Sequence, residues 1–464
     1  MAIDQATNGT MTEGKIKKVI IVGAGPSGLL LAIMLAKANI KVQLVEANFR
    51  VDDNPRAAHY APSAVYDFER AGVLDEVNAQ GFHPDAVCWR KPDGEFIAGI
   101  SMGHPKDVQH PMVVLPLDKL GPLFLNHLSK LPNAEVLMGH RVVGLEQDES
   151  QATVKVQTAD GERTLSADYV VGADGANSAI RKGLFGNEYP GETLPQQIIA
   201  SNVYYDFKKH HGWWDSNFIV HETDWYMAAK ISDEPNGGLW RVTYGDIPDL
   251  TKEEYLKRQP MRYEQFWPPL KPGTYKLTNA SPYKLQQRCA KSFRVGRFIL
   301  VADAAHLCNP FGGMGLTGGF ADVGSLYDCL KGINEGLLEE DILDKYSDIR
   351  IKIWKEMIDP ISRGNFKRLW AQEAIPEREQ FFKMCDDASK DPELAKNFAL
   401  VCSSLRMLLG HALTDCRLFM AYGTTSHSTT GSRRQMEPAQ MALTACIRQR
   451  SISPPSICFH SPPD

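Results

Sequence analysis

The residue types and spacings that could carry chemistry begin with a glycine turn, Gly23-Ala24-Gly25-Pro26-Ser27-Gly28. In such a turn Gly23 permits the tight bend, Gly25 lets a pyrophosphate approach the backbone, and Gly28 lets a following helix pack closely on its strand. The helix N-terminus then offers free N–H groups and a partial positive charge to phosphate oxygens. Glu46, at the end of the next apolar run, is placed to accept hydrogen bonds from ribose hydroxyls. The chemistry implied is the holding of a dinucleotide. Two later segments also carry acids at strand ends. Val170-Val171-Gly172-Ala173-Asp174-Gly175-Ala176-Asn177-Ser178-Ala179-Ile180-Arg181 has Asp174 in a tight Asp-Gly turn and Arg181 in the helix behind it. Phe298-Ile299-Leu300-Val301-Ala302-Asp303-Ala304-Ala305-His306 leads to Asp303, and Pro310-Phe311-Gly312-Gly313-Met314-Gly315 follows.

The elements that must position these residues can be read from their apolar patterns. Val19 to Val22 is a short, wholly apolar strand of the kind buried on both faces of a parallel sheet. Pro26 sits near the start of the next helix, where its missing N–H is harmless, and Leu29 to Ala36 continues it. Ile40 to Val45 is a second strand, closing a βαβ unit of about 30 residues. This unit alone does not distinguish NAD from FAD. Ala64 to Leu74 and Leu117 to Leu131 read as helices. Arg141 to Gln147, Thr153 to Gln157 and Arg163 to Leu165 form a meander with an Asp160-Gly161 turn. From about Gln196 to Lys284 alternating aromatic and polar runs indicate an antiparallel sheet, and Leu326 to Leu369 is mostly helical. Beyond Gly423 the chain is rich in Ser, Thr, Pro and Arg without periodicity, the composition of a disordered tail.

Composition narrows the function classes. The hydrophobic fraction of 43% and charged fraction of 23% are those of a globular protein, and a net charge of −5 gives no reason to expect nucleic acid or an anionic membrane as partner. The 9 cysteines show no Cys-x-x-Cys pair, which argues against a zinc site or a disulfide framework and for a reducing, cytoplasmic location. Glycines, Pro26 and Lys37 interrupt the Val19–Ile40 stretch, so it does not read as a membrane span. The expected partners are small molecules, with the chain a monomer or homodimer.

The three segments, in this order, resemble the single-component, class A flavoprotein monooxygenases, of which p-hydroxybenzoate hydroxylase is the best-known member. The resemblance covers roughly Lys17 to Leu330 and looks closest to fungal secondary-metabolism members acting on phenols. It implies an α/β fold: a discontinuous Rossmann-type FAD-binding domain with an inserted antiparallel β-sheet substrate domain. The FAD-binding domain is then expected over 15–190 and, with C-terminal helices, over 291–415; the substrate domain over 191–290; and the disordered tail over 423–464. Residue by residue, it implies that the turn of Gly23, Gly25 and Gly28 anchors the ADP half of FAD and that Glu46 holds the adenosine ribose. Arg56, in Pro55-Arg56-Ala57, would lie over the pyrophosphate and help the flavin move; the alternative is a solvated loop cation. Asp174 and Arg181 would serve FAD and the nicotinamide cofactor, and Asp303 the ribityl or pyrophosphate region. Pro310, Gly313 and Gly315 would pack at the reactive edge of the isoalloxazine, with a helix N-terminus aimed at its pyrimidine oxygen. Ala302, Thr317 and Leu117 depart from the family's usual glycine, asparagine and glutamine or arginine.

The implied reaction uses NAD(P)H and dioxygen, through a flavin C4a-hydroperoxide, to hydroxylate an electron-rich ring. Gly313-Met314-Gly315-Leu316-Thr317-Gly318 also matches G-x-G-x-x-G, but its first glycine lies about ten residues past its strand, so it is not a second dinucleotide unit. NADPH or NADH would act as co-substrate without its own domain. A basic residue or tyrosine near the phenol would lower its pKa; the catalytic candidates are Arg241, Tyr226 and His221, with Tyr244 beside them and Trp225 and Trp240 as pocket walls. His306 belongs to the Asp303 motif, where it reads as orienting the loop. A flavin halogenase would carry W-x-W-x-I-P, which Gly212-Trp213-Trp214-Asp215 does not match. An oxidase or epoxidase on the same scaffold, and a flavin-binding protein without turnover, remain open alternatives.

Overall fold

In the computed structural model the residues described are 14–51, 58–101, 110–235, 237–267 and 273–391. Arg56 and the tail expected over 423–464 lie outside them.

Strand Lys18–Val22 is central to a six-stranded sheet because four of its five residues are buried from both sides. The strand order is Arg294–Val295, Phe298–Leu300, Tyr169–Gly172, Lys18–Val22, Lys41–Val45 and Ala134–Leu137. All neighbours pair in parallel except the short edge strand Arg294–Val295. Three sequence segments far apart therefore end side by side, and each ends in one of the motifs. Helix Pro26–Lys37 is apolar around most of its circumference, with Leu29 to Leu35 buried at 2% exposure or less. It is sandwiched between this sheet and the helices Pro62–Ala71, Leu117–Leu128 and Met314–Asn334. The three-stranded meander Arg141–Gln147, Ala152–Thr158, Gly161–Ala167 forms as its alternation requires.

The second layer is an eight-stranded sheet in the order His306–Leu307, Lys276–Cys289, Gly191–Tyr204, Leu239–Asp246, Tyr226–Ser232, Ser216–Ile219, Ala86–Arg90, Phe96–Ser101. It is antiparallel except where Ser216–Ile219 meets Ala86–Arg90. Its last two strands come from residues 86–101, well before the change of texture near Gln196, and pair with the sheet only after a long return of the chain. Its outer face is covered by helix Lys252–Phe266, which opens on a Thr251–Glu254 capping box. Tyr255, Tyr263 and Phe266 of that helix pack on Ile199, Tyr226, Val242 and Tyr244.

C-terminal to the long Met314–Asn334 helix, helix Ile342–Ile353 passes through a π turn, Trp354–Ile358, into Asp359–Trp370. The extra residue per turn resets the helix face, and Ile361, Asn365 and Arg368 then look into the space between the two sheets. Helix Ile375–Lys390 closes one end of that space against Phe96–Ser101. Among the described residues no helix is long and apolar enough to cross a membrane, and the described cysteines, Cys88, Cys289, Cys308, Cys329 and Cys385, form no disulfide with one another.

Candidate active site

The three glycines of the first turn differ in what surrounds them. Gly23 has φ of +110°, and a Cβ there would lie 2.5 Å from the Ala173 carbonyl oxygen. A Cβ on Gly28 would lie 2.1 Å from the Gly23 carbonyl oxygen, so helix and strand can touch only without it. Around Gly25 nothing lies within 4 Å of the same point, at the N-cap of helix Pro26–Lys37. The open side of Gly25 faces a cleft lined by Gly23 to Ser27, Glu46, Asp174 and Asp303. One Glu46 oxygen accepts the Ala24 N–H at 2.8 Å and the other accepts two N–H groups of Asn48, also at 2.8 Å. Its carboxylate is thereby fixed at the cleft wall.

Asp174 is positioned by the turn that follows Tyr169–Gly172. One of its oxygens accepts the N–H groups of Ala179 at 2.6 Å and Ile180 at 3.3 Å, capping helix Ala179–Phe185; the other oxygen is buried without a partner. Burial pushes this carboxyl above its ordinary pKa, against the hydrogen bonds from Ser178 and the helix N–H groups. Arg181 lies behind the same turn. Its guanidinium donates to the carbonyls of Ala304 (3.1 Å) and Ala176 (2.7 Å) and stacks 3.7 Å from the Tyr189 ring. It ties the Asp174 turn to the Asp303 turn and does not line the cleft. Asp303 is exposed at the cleft edge.

The Asp303 turn is reached through Ala302, which has φ of +54°, a left-handed conformation that strains any residue with a Cβ. A buried ionic cluster holds it there. Asp322, on helix Met314–Asn334, accepts the Ala302 N–H at 2.8 Å, pairs with His306 Nε2 at 2.8 Å and with Arg350 Nε at 2.6 Å. Burial pushes the Asp322 carboxyl up, but the charges of Arg350 and His306 outweigh it and hold the carboxyl below its usual range. His306 thus faces Asp322, away from the cleft. The loop after it is equally constrained. Phe311 is buried, stacked on Phe366 at 4.8 Å and edge-on to Trp225 at 5.7 Å, while Pro310 stays at the cleft surface. Gly313, at φ of +66°, caps helix Met314–Asn334 with open space where a Cβ would be, and the first turn of that helix points into the cleft. Gly315 and Thr317 line it as well, and Leu117 contributes an apolar contact from the opposite wall.

Alternation along the strands decides which sheet residues can meet a molecule in the cleft. Met227, Ala229, Ile231, Arg241 and Thr243 face it; Tyr226, Ala228, Trp240, Val242 and Tyr244 face helix Lys252–Phe266. Of the three catalytic candidates the structure brings only Arg241 to the cleft. Its Nε donates to Asn202 Oδ1 at 3.0 Å, and burial pulls its pKa down. Tyr226 is on the far face, 1% exposed, its hydroxyl accepting from Trp267 Nε1 at 2.9 Å with its ring stacked on Phe266. His221 sits in the exposed turn after Ser216–Ile219, where Nδ1 accepts the Asp224 N–H at 2.9 Å. Trp225 supports Phe311 from behind, and Trp240 packs in the outer core.

Several cleft residues were not singled out in the sequence: His59, Trp89, Phe218, Tyr283, Asn365, Arg368 and Phe381. Arg368 lies 3.7 Å from the Phe381 ring, and burial pushes it down to about 10. Ala86 to Trp89 is a short continuous apolar run, the local signal for a strand buried on both faces, but nothing nearby shows which sheet it joins.

The cleft is continuous and about 1880 Å³ in volume, running from the glycine turn to the inner face of the eight-stranded sheet. Bare backbone at Gly25, an unpartnered buried Asp174 oxygen and a second helix N-terminus at Gly313 fit a long, anionic, two-ended cofactor such as FAD. No metal-binding group of His, Cys, Asp and Glu occurs among the described residues. A family model described as an FAD binding domain matches residues 17–360. The chain is 34% identical over 404 residues to para-nitrophenol 4-monooxygenase of Pseudomonas sp., covering 86% of this chain and 98% of that one. It is 33% identical over 377 residues to 6-hydroxy-3-succinoylpyridine 3-monooxygenase of Pseudomonas putida, covering 81% and 94%. The crystal structure of p-nitrophenol 4-monooxygenase from Pseudomonas putida superposes with a TM-score of 0.78 at 33% identity, over 84% of this chain and 98% of that one. The aklavinone-11 hydroxylase complex with FAD and aklavinone, at 24% identity and a TM-score of 0.67, shares the fold. The chain belongs to the FAD-binding family of class A flavoprotein monooxygenases and is an FAD-dependent monooxygenase.

Proposed function

We propose that this enzyme hydroxylates a small aromatic molecule that already carries a ring hydroxyl, using dioxygen and NAD(P)H. The observation that carries this reading is the inner face of the eight-stranded sheet. Among the described residues its strands put one charged side chain, Arg241, into an otherwise largely apolar surface of Val87, Trp89, Ile100, Ile198, Phe218 and Met227. An apolar sheet face carrying one cation suits a flat ring whose single acidic group ionises. The names of the two relatives, a nitrophenol and a hydroxypyridine monooxygenase, support the same class.

FAD, when bound, supplies the oxygen-activating chemistry; the chain's own residues bind, orient and exclude water. Gly25 and the helix behind it would hold the pyrophosphate, Glu46 the ribose, and Asp303 the chain leading to the ring system. Gly313 and the first turn of Met314–Asn334 would face the isoalloxazine with unused N–H groups. Asp174, with its unpartnered oxygen, would serve the cofactor, and Arg181 would hold the Asp174 turn against the Asp303 turn. Arg241 would draw the substrate hydroxyl toward its anion and so make the ring more nucleophilic. A place in fungal secondary metabolism rests on the motif pattern alone; both named relatives come from Pseudomonas.

The test is direct. The purified protein is expected to show oxidised-flavin absorbance, and selected phenols should stimulate NADPH or NADH oxidation and gain one oxygen atom from labelled dioxygen. Reductant consumption that no phenol stimulates, with no labelled product, would refute the substrate class. A colourless protein that takes up no added FAD would refute the cofactor.

A further inference from the structure

A histidine lines the cleft on the side of Arg241. His59 lies on the short strand His59–Tyr60, paired with Val113–Val114. The strand is pinned on both sides: the Leu115 N–H donates to the Ala58 carbonyl at 2.8 Å, and the Tyr60 hydroxyl donates to the Leu115 carbonyl at 2.7 Å. The backbone of His59 is thereby fixed, and the residue lines the cleft. Its Nε2 is buried and has no hydrogen-bond partner among the described residues. A buried ring nitrogen without a partner is unfavourable unless a ligand completes it.

Arg241 is the neighbouring charge. Its guanidinium is oriented by Asn202, directly opposite on the adjacent strand. Asp118, from the first turn of helix Leu117–Leu128, and Tyr283, from strand Lys276–Cys289, are the other titratable groups acting on it. Burial, and then the charge of Arg241, push His59 down to about 4. It consequently meets a ligand as a neutral ring with a lone pair to offer, while Arg241 remains cationic.

We propose that His59 receives the proton of the substrate's ring hydroxyl at Nε2 and that Arg241 holds the oxyanion left behind, which makes the pair the orienting and ionising site for a phenolic substrate. This rests on the phenol reading above. The step is a proton transfer only: the substrate O–H bond breaks, an N–H bond forms on His59, and the electron pair stays on the ring oxygen. The oxyanion, once formed, offsets the effect of Arg241 on His59 and raises the basicity of the imidazole, so the two ionisations support one another. The ring is then anchored by its oxygen at one end and lies along Ile198, Met227 and Phe218 toward the Pro310 loop.

The test uses the oxidised holoenzyme without reductant and 4-nitrophenol, whose phenolate is yellow. The bound phenol is titrated by difference absorbance. In the unmodified enzyme it should ionise about one to three pH units below the free compound, the shift a nearby cation produces. Arg241→Met should abolish that shift, and Arg241→Lys should restore most of it. His59→Gln keeps a hydrogen-bond acceptor but cannot take the proton, so the phenol should still bind while its ionisation moves up by about one pH unit or more. His59→Leu should weaken binding as well. FAD content, read in the same spectra, reports whether each variant is folded. His59→Gln and Arg241→Met with full FAD and unchanged phenol ionisation would overturn the proposal and leave the phenol reading intact. Failure of every phenol in a panel to perturb the unmodified holoenzyme would overturn the phenol reading, and the proposal with it.

Discussion

Replacing Gly25 and Gly28 by alanine, one at a time, should separate cofactor recognition from folding within a single turn. At Gly25 φ is −70°, which alanine adopts without strain, and a Cβ would meet nothing within 4 Å. The loss of an N-cap glycine and the stiffer unfolded chain offset one another, so the apoprotein's stability should change by no more than about 0.5 kcal/mol. A methyl group pointing into the cleft would instead hold a pyrophosphate off the backbone. Losing one charge-assisted hydrogen bond, worth about 1.5–3 kcal/mol, corresponds to FAD affinity weakened roughly 10- to 150-fold. At Gly28 the Cβ would lie 2.1 Å from a backbone oxygen that cannot swing away. Helix or strand must move, and overpacking of this kind costs about 1–3 kcal/mol or more in the apoprotein itself. Urea unfolding of the apoproteins and fluorescence titration with FAD read the two quantities separately. Gly25→Ala with undiminished FAD affinity would refute the assignment of the turn to the pyrophosphate, and Gly28→Ala with unchanged apoprotein stability would refute the packing argument.

Other substitutions have expected outcomes that follow from the same structure. Ala302→Gly, ordinarily destabilising, should here be stabilising by about 0.5–1 kcal/mol, because relief of left-handed strain exceeds the entropy added to the unfolded chain; a shift of the urea midpoint upward checks the sign. Asp322→Asn should cost about 3–5 kcal/mol by leaving Arg350 buried without its counter-charge, measured as unfolding free energy. Tyr226→Phe should lower stability by about 1–3 kcal/mol, since it strands the Trp267 N–H, yet leave kcat unchanged, whereas Arg241→Met should lower kcat with FAD content intact. His59 is held at about 4 when folded against 6.5 ordinarily, so the unfolded chain binds its proton first and native stability falls as pH drops from about 6.5 to 4. Comparing urea midpoints across that range, His59→Gln should remove about 3 kcal/mol of this loss.

The glycine-turn end of the cleft was legible in the sequence because it is made largely of backbone. Glycine at three fixed offsets, an apolar strand before and a helix after state the geometry of a phosphate cradle locally, and the Asp174, Asp303 and Gly313 segments repeat the same strand-end logic. The end at the eight-stranded sheet was not legible to the same depth. Whether Tyr226 or Met227 faces the cleft depends on a single step of register, and both patterns are consistent with a strand buried on two faces. The sheet here is covered outside by Lys252–Phe266, so aromatic residues are as much at home on the far side as in the cleft. Likewise the strands Ala86–Arg90 and Phe96–Ser101 are ordinary in sequence, and only the completed topology makes them a wall of the cleft. His59 follows Pro55-Arg56-Ala57 closely, but no spacing rule marks a lone histidine on a two-residue strand.

Ala302 shows how a departure at one motif position can be absorbed elsewhere. The backbone there must turn left-handed to carry the chain from strand Phe298–Leu300 into the Asp303 turn, and glycine would do so without strain. With alanine in place, the strain must be met by contacts that leave no alternative. The Ala302 N–H is bound by Asp322, whose carboxylate is in turn fixed by Arg350 and His306. The methyl group finds room only because the facing helix residue is Gly319, where a Cβ would come within 2.8 Å of it. Gly318, one residue earlier, gives its carbonyl to Arg350 at 3.2 Å, so the same helix turn serves both the ionic cluster and the methyl group. The Asp303 turn and the first turn of Met314–Asn334, which face the cleft together, are thus held in register by side chains rather than by glycine at position 302. It follows that Ala302 and Gly319 should be coupled: a methyl group at either position is accommodated, and at both it is not. Gly319→Ala should be strongly destabilising alone and substantially rescued by Ala302→Gly, and purely additive effects on the urea midpoint in the double variant would show that the contact does not set the loop.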